Sequence, residues 1–142
     1  MKGKEMKLKN SLEEAICILL ILEKKHKGSP IKSAIISQQL DVSDSYLKKI
    51  LRKLVIAGII TSSVSKGGGF SLVKPLKDIS MLDVFYAIEG RESYIHTQNL
   101  LEKVFSNQDE ARRVEKNLLH FFHEGEELLL KRLASYSIGN LL

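Results

Sequence analysis

Residues 33–72 constrain this chain most: two short helical patterns separated by a three-residue break, then three glycines in a row between two strand-like segments. The first pattern, Ser33-Ala34-Ile35-Ile36-Ser37-Gln38-Gln39-Leu40, stops at Asp41-Val42-Ser43. The second places Leu47, Ile50, Leu51, Leu54, Val55 and Ile59 at steps of one to four, the spacing of one buried helical face. The opposite face shows Ser43, Ser45, Tyr46, Lys48, Lys49, Arg52 and Lys53, hydroxyls and cations of the kind that meet phosphates and base edges. With the glycine-rich hairpin behind it, the pattern predicts a winged helix-turn-helix whose second helix presents its N-terminus for recognition.

The charge supports that expectation by its placement. Between 43 and 66, Lys48, Lys49, Arg52, Lys53 and Lys66 stand against Asp44 alone, and before Asn10, Lys2, Lys4, Lys7 and Lys9 stand against Glu5. Most of the formal net charge of +5 therefore falls in the N-terminal half, the footprint of a protein that docks on a polyanion such as double-stranded DNA. A solvated surface carries similar totals, so position is the informative part. At 142 residues and 44% hydrophobic, the chain can build a core without disulfides. Its one cysteine, Cys17, sits in the apolar run 15–22, which points to a reducing, cytoplasmic setting. No apolar run approaches the roughly 20 residues that span a bilayer, and Met1-Lys2-Gly3-Lys4-Glu5 leads into a helix rather than a secretory segment.

The expected fold class is mainly α with a small β-wing: a winged helix-turn-helix over 1–79, then a connecting helix, a loop and a long dimerisation helix over 80–142. Helix one is expected to start at Ser11, with Glu14 completing a capping box, and to end by Gly28. Its core face is Leu12, Ala15, Ile16, Leu19, Leu20 and Ile21. Ser29-Pro30-Ile31 forms an extended link that can pair with the wing, Ser33 caps helix two, Ser43 or Asp44 caps helix three, and Gly58 stops it. The wing strands are expected over 59–64 and 70–73, joined by Ser65-Lys66-Gly67-Gly68-Gly69, a turn tolerant of positive φ. A helix over 80–89 packs Met81, Leu82, Val84, Phe85 and Ile88 and stops at Gly90. From about 107 to 135, Ala111, Val114, Leu118, Phe121, Phe122, Leu128, Leu129 and Leu133 form a stripe too large for a small domain to shield, so a homodimer is expected.

These segments resemble a family of bacterial winged-helix regulators, the one that includes IscR, NsrR and CymR. The resemblance runs over nearly the whole chain and is carried by the segments 35–40, 42–54, 57–62, 67–72 and 78–84 and by the ending Ile88-Glu89-Gly90. It implies that the positions of Ser43, Ser45, Tyr46, Lys48 and Lys49 face DNA and that the long C-terminal helix makes the dimer. Three departures limit it. Cluster-binding members hold three cysteines in the region matching 91–107, where this chain has none, and thiolates are the ligands an iron–sulfur centre needs. No cofactor is therefore expected, nor a redox thiol in that loop. Many members carry Arg-Gly-Pro before the wing glycines; here Ser65-Lys66 stands instead, leaving Lys66, with Gly67 and Gly68, as the candidate groove or phosphate contact. Glu13 and Glu14 precede Ala15 where a basic and an aromatic residue are common.

Other chemistries find little support. The glycine turn lacks the Gly-Lys-Ser/Thr of a P-loop. His120 and His123 with Glu124 and Glu127 have ligand types at helical spacing, yet a charged helix face shows such pairs by chance, and no metal is expected. Cys17 reads as a small buried hydrophobe, and no nucleophile with a spaced base suggests an enzyme. The expected function is a homodimeric, sequence-specific DNA-binding repressor on an inverted repeat, released by an effector small molecule or a partner protein. The alternative is a winged-helix protein-interaction module with little DNA affinity of its own.

Overall fold

The computed structural model describes residues 8–25 and 29–142. Lys2, Lys4, Lys7, His26 and Gly28 lie outside the described residues. Helices α1 (Asn10–Lys25), α2 (Ser33–Leu40) and α3 (Asp44–Ile56) precede strands β1 (Ile60–Ser63) and β2 (Gly69–Leu72); α4 (Met81–Glu89) and the long α5 (Gln108–Ala134) follow. The chain divides into two compact units, Met1–Gly90 with Ala134–Leu142, and Arg91–Leu133.

In the first unit the helices bury one face each. Ala15, Ile18, Leu19 and Leu22 of α1 meet Leu47, Ile50, Leu51 and Leu54 of α3 and Val84 and Ile88 of α4 in one core cluster, with Ile36 beneath. A fully buried Ile or Leu contributes about 1.5–3 kcal/mol, so this shared cluster fixes the angle of α3. Ile16 and Leu20 pack only partly, and Ile18 and Leu22 take a larger share than the sequence suggested, because the buried stripe is centred on 15, 18, 19 and 22.

Helix boundaries show where local signals won and lost. Ser43 caps α3, its Oγ accepting from the Tyr46 N–H at 3.2 Å. At the other end Ile59 N–H donates to the Leu54 carbonyl and Gly58 N–H to that of Val55, a Schellman closure that needs the left-handed Gly58 (φ +74°). Ser80 and Asp83 form a reciprocal capping box on α4, through bonds of 3.0 and 2.9 Å. Two expected caps do not form. The Lys9 carbonyl already accepts from Leu12 and Glu13, so α1 starts before Ser11, and Ser11 Oγ and Glu14 Oε1 are buried without a partner. Lys32, not Ser33, occupies the α2 cap, where its carbonyl accepts from Ile35 and Ile36.

The wing is an antiparallel pair with Ile60 opposite Leu72 and Ser63 opposite Gly69. Ile31 adds a bridge to Phe70, with bonds of 2.9 and 2.8 Å in the two directions, as the extended link suggested. The same unit takes in the C-terminal segment: Met81 N–H donates to the Tyr136 carbonyl at 2.7 Å, Ile138 N–H donates to that of Ile79 at 2.8 Å, and the Ile138 side chain is fully buried.

The second unit is an arm built on α5. Glu126 anchors the polar stretch after α4 by accepting from Ser93 Oγ at 2.8 Å and from the Tyr94 N–H at 3.0 Å. These bonds, the Ser93 hydroxyl first, hold the Glu126 carboxyl below its ordinary pKa, with His123 and His96 adding to the effect.

Candidate nucleic-acid interface

The break between α2 and α3 sets up the site. Asp41 takes a left-handed conformation (φ 53°, ψ 49°) at the end of α2, and Val42 N–H donates back to the Ser37 carbonyl at 3.1 Å. The chain turns there, Ser43 caps the next helix, and the first turn of α3 is presented with Ser43, Ser45 and Tyr46 exposed. One and two turns later Lys48, Lys49 and Arg52 are also exposed. Steps of three and four place Ser45, Lys48, Lys49 and Arg52 side by side, opposite the buried Leu47, Ile50, Leu51 and Leu54. The local composition is hydroxyls at a positive helix end followed by cations, which suits an anionic partner.

Two cations of α3 have partners within the chain. Lys48 Nζ pairs with Asp44 Oδ2 at 3.0 Å, both side chains largely in solvent, so the pair is worth at most about 1 kcal/mol and exchanges readily for a phosphate. Lys53 departs from the expected face: its ammonium donates to the Ile88 carbonyl at 3.2 Å, closing the last turn of α4.

At the wing, Lys66 and Gly67 (φ +91°) are exposed at the tip. Gly68 is buried beneath them, its N–H donating to the Ser65 carbonyl at 2.6 Å, and a Cβ there would stand 2.2 Å from the Ser63 carbonyl oxygen. Gly68 thus shapes the tip from inside. Sequence reasoning missed Val64, whose side chain is wholly exposed beside Ser65 and Lys66. An apolar residue at a strand end carries no signal of that kind.

A family model named Rrf2 and described as an iron-dependent transcriptional regulator matches residues 8–142. The chain belongs to the Rrf2 family. Two relatives carry names of HTH-type transcriptional regulators. YwgB of Bacillus subtilis (strain 168) is 45% identical over 103 residues, which is 72% of this chain and 66% of that protein. YffB of Lactococcus lactis subsp. lactis (strain IL1403) is 38% identical over 137 residues, 96% of this chain and 86% of that protein. Among solved structures, CymR, described as the global cysteine regulator of B. subtilis, covers 96% of both chains with a TM-score of 0.64 and 22% identity. A protein from Lactobacillus plantarum covers 92% of this chain and 86% of its own at a TM-score of 0.72 and 20% identity. Those two likenesses concern the fold, a winged-helix body with a C-terminal helix.

The iron dependence in the Rrf2 description does not fit the donors present. The single cysteine, Cys17, is half-buried on α1, its thiol pKa pushed up by burial and then by Glu13 and Glu14, the reverse of what thiolate ligation needs. Among the described residues no three His, Cys, Asp or Glu side chains are grouped to hold a metal ion, and His120 Nε2 pairs with Glu124 at 2.8 Å. Among them, too, no helix is long and apolar enough to cross a membrane.

Proposed function

We propose that this Rrf2 regulator is a homodimeric repressor that binds an inverted-repeat DNA operator without an iron–sulfur cluster. The observation that carries the reading is the first two turns of α3, where hydroxyls and cations stand exposed on a helix whose other face is locked in the core. Each α3 enters a major groove; Ser43, Ser45, Tyr46, Lys48 and Lys49 meet base edges and phosphates, and Arg52 a flanking phosphate. Lys66 and Gly67 reach the neighbouring backbone or minor groove, with Gly68 holding the tip in shape and Val64 against sugars. The relatives' names as transcriptional regulators agree with this assignment.

The dimer forms through the arm. Leu118, Phe121, Phe122, Leu128 and Leu129 of α5 are 42–69% exposed along one stripe, more than an isolated surface helix leaves in water. Gly125 lies in the middle of that stripe with open space beside it, leaving bare backbone where a second helix can approach closely. Two-fold symmetry then requires an inverted repeat, and a dimer seated on it blocks access to the promoter.

Selection of bound duplexes from a random pool, followed by titration of the winning site at two salt concentrations, tests the reading. A palindrome bound by two chains, with affinity falling steeply with salt, is expected. Absence of both a motif and low-salt binding sinks it and favours the protein-interaction module.

A further inference from the structure

Between α1 and the helix-turn-helix break lies a groove of about 460 Å³ lined by Glu13, Glu14 and Cys17 on one side and Leu40, Val42 and Tyr46 on the other. That volume is in the range of small-molecule sites. Its charge is the reverse of its surroundings: two carboxylates and no cation line it, inside the unit that carries the basic α3 and wing.

Glu14 is the informative wall. It is 8% exposed, and its Oε1 is enclosed with no hydrogen-bond partner. A buried carboxylate oxygen left unpaired is destabilising, and such a group in a native fold calls for an explanation. The two oxygens of a carboxylate share one charge, so a cation in the groove that Glu14 lines compensates the buried group even though Oε1 itself is enclosed. An occupant that brings an N–H⁺ to this carboxyl supplies the counter-charge it lacks, Glu13 adds a second negative charge, and Leu40, Val42 and Tyr46 cover an apolar body. Burial raises the Glu14 pKa, as expected of an acid lacking a cationic partner.

We infer that this groove is a binding site for a small protonated amine with an apolar body, its ammonium held by Glu14. Ser43 and Tyr46, which line the groove, are also the cap and first turn of α3, so the occupant sits against the recognition end. That regulatory consequence rests on the proposed DNA reading, whereas the ligand site itself does not.

Cys17 lines the groove and is the only cysteine, so its alkylation by iodoacetamide, followed by intact mass, reports occupancy in the full chain. The probes are benzylamine and its uncharged counterpart benzyl alcohol, with glutathione in the same tube as the reference thiol. At benzylamine about ten times its half-protecting concentration, mass action predicts roughly tenfold slower alkylation of Cys17 relative to glutathione. Benzyl alcohol should protect far less, and Glu14→Gln should abolish the difference between the two. Equal protection by both probes, protection by neither, or amine protection undiminished in Glu14→Gln overturns the proposal. The comparison of probes in the unmodified protein stands even if the variant folds poorly. Heparin retention of the same protein reports the DNA reading separately: amine-selective protection in a protein that binds no polyanion supports the ligand site and removes only its link to DNA.

Discussion

The winged-helix unit and the α5 arm solve the burial problem in opposite ways. In the unit formed by 1–90 and 134–142, apolar faces of four helices, the wing and the C-terminal segment meet in one core, and its helix ends are closed by Ser43, Gly58, Ser80 and the Lys53 ammonium. In the arm, Ala111 is the one fully buried apolar residue among those described, while Phe and Leu side chains stand in water. The first unit carries its own stability. The second leaves an apolar stripe in solvent, the surface on which the proposed dimer would assemble.

The largest expected effect tests the first half of that contrast. Ile138→Ala empties a fully buried position far along the chain from the core helices and should cost about 2–5 kcal/mol in chemical denaturation. A loss below that range would mean the C-terminal segment is only loosely bound. For the arm, Phe121→Ala should weaken the dimer by about 2 kcal/mol in sedimentation equilibrium while the thermal transition of the dilute, dissociated protein stays put. Gly125→Ala sharpens the point by its sign. Helix propensity alone would favour the variant by about 1 kcal/mol, and a Cβ meets nothing within 4 Å among the described residues, so weaker dimerisation would locate the helix crossing at this residue.

Smaller effects separate the units further. Lys49→Ala, at a position without an ion pair among the described residues, should lower the slope of log affinity against log salt by about 0.9, the loss of one phosphate contact. Lys48→Ala should do less to the free energy, because Lys48 leaves Asp44 to reach the phosphate. The two carboxylates Glu14 and Glu126 predict opposite pH responses. The folded pKa of Glu14 is raised, so its favourable contribution is complete below the unfolded carboxylate pKa and is lost as pH rises through the folded value. Glu14→Gln should therefore stabilise the winged-helix unit at neutral pH, with a gain that shrinks in acid. The folded pKa of Glu126 is lowered, so its tether is present above the unfolded value and lost as pH falls through the folded one; Tyr94 amide exchange should quicken there.

The sequence by itself determined the helix and strand inventory, because apolar spacing, the Ser43 and Ser80 caps and the Gly58 and Gly90 stops are local signals that the fold obeys. It also determined which residues crowd the outer face of α3, since a helix with Leu47, Ile50, Leu51 and Leu54 inward has no freedom to turn Ser45, Lys48, Lys49 and Arg52 anywhere but out. Only the tertiary structure decided that Lys53 closes α4 and that Ile138 returns to the core, because each depends on a partner distant in the chain, and only the folded turn shows that Gly68 sits against the Ser63 and Ser65 carbonyls. The same holds for Glu14. Its spacing from Ser11 reads as a helix cap, but the Lys9 carbonyl takes the cap position two residues earlier, and Glu14 is buried without a partner for its Oε1, lining a groove with the start of α3.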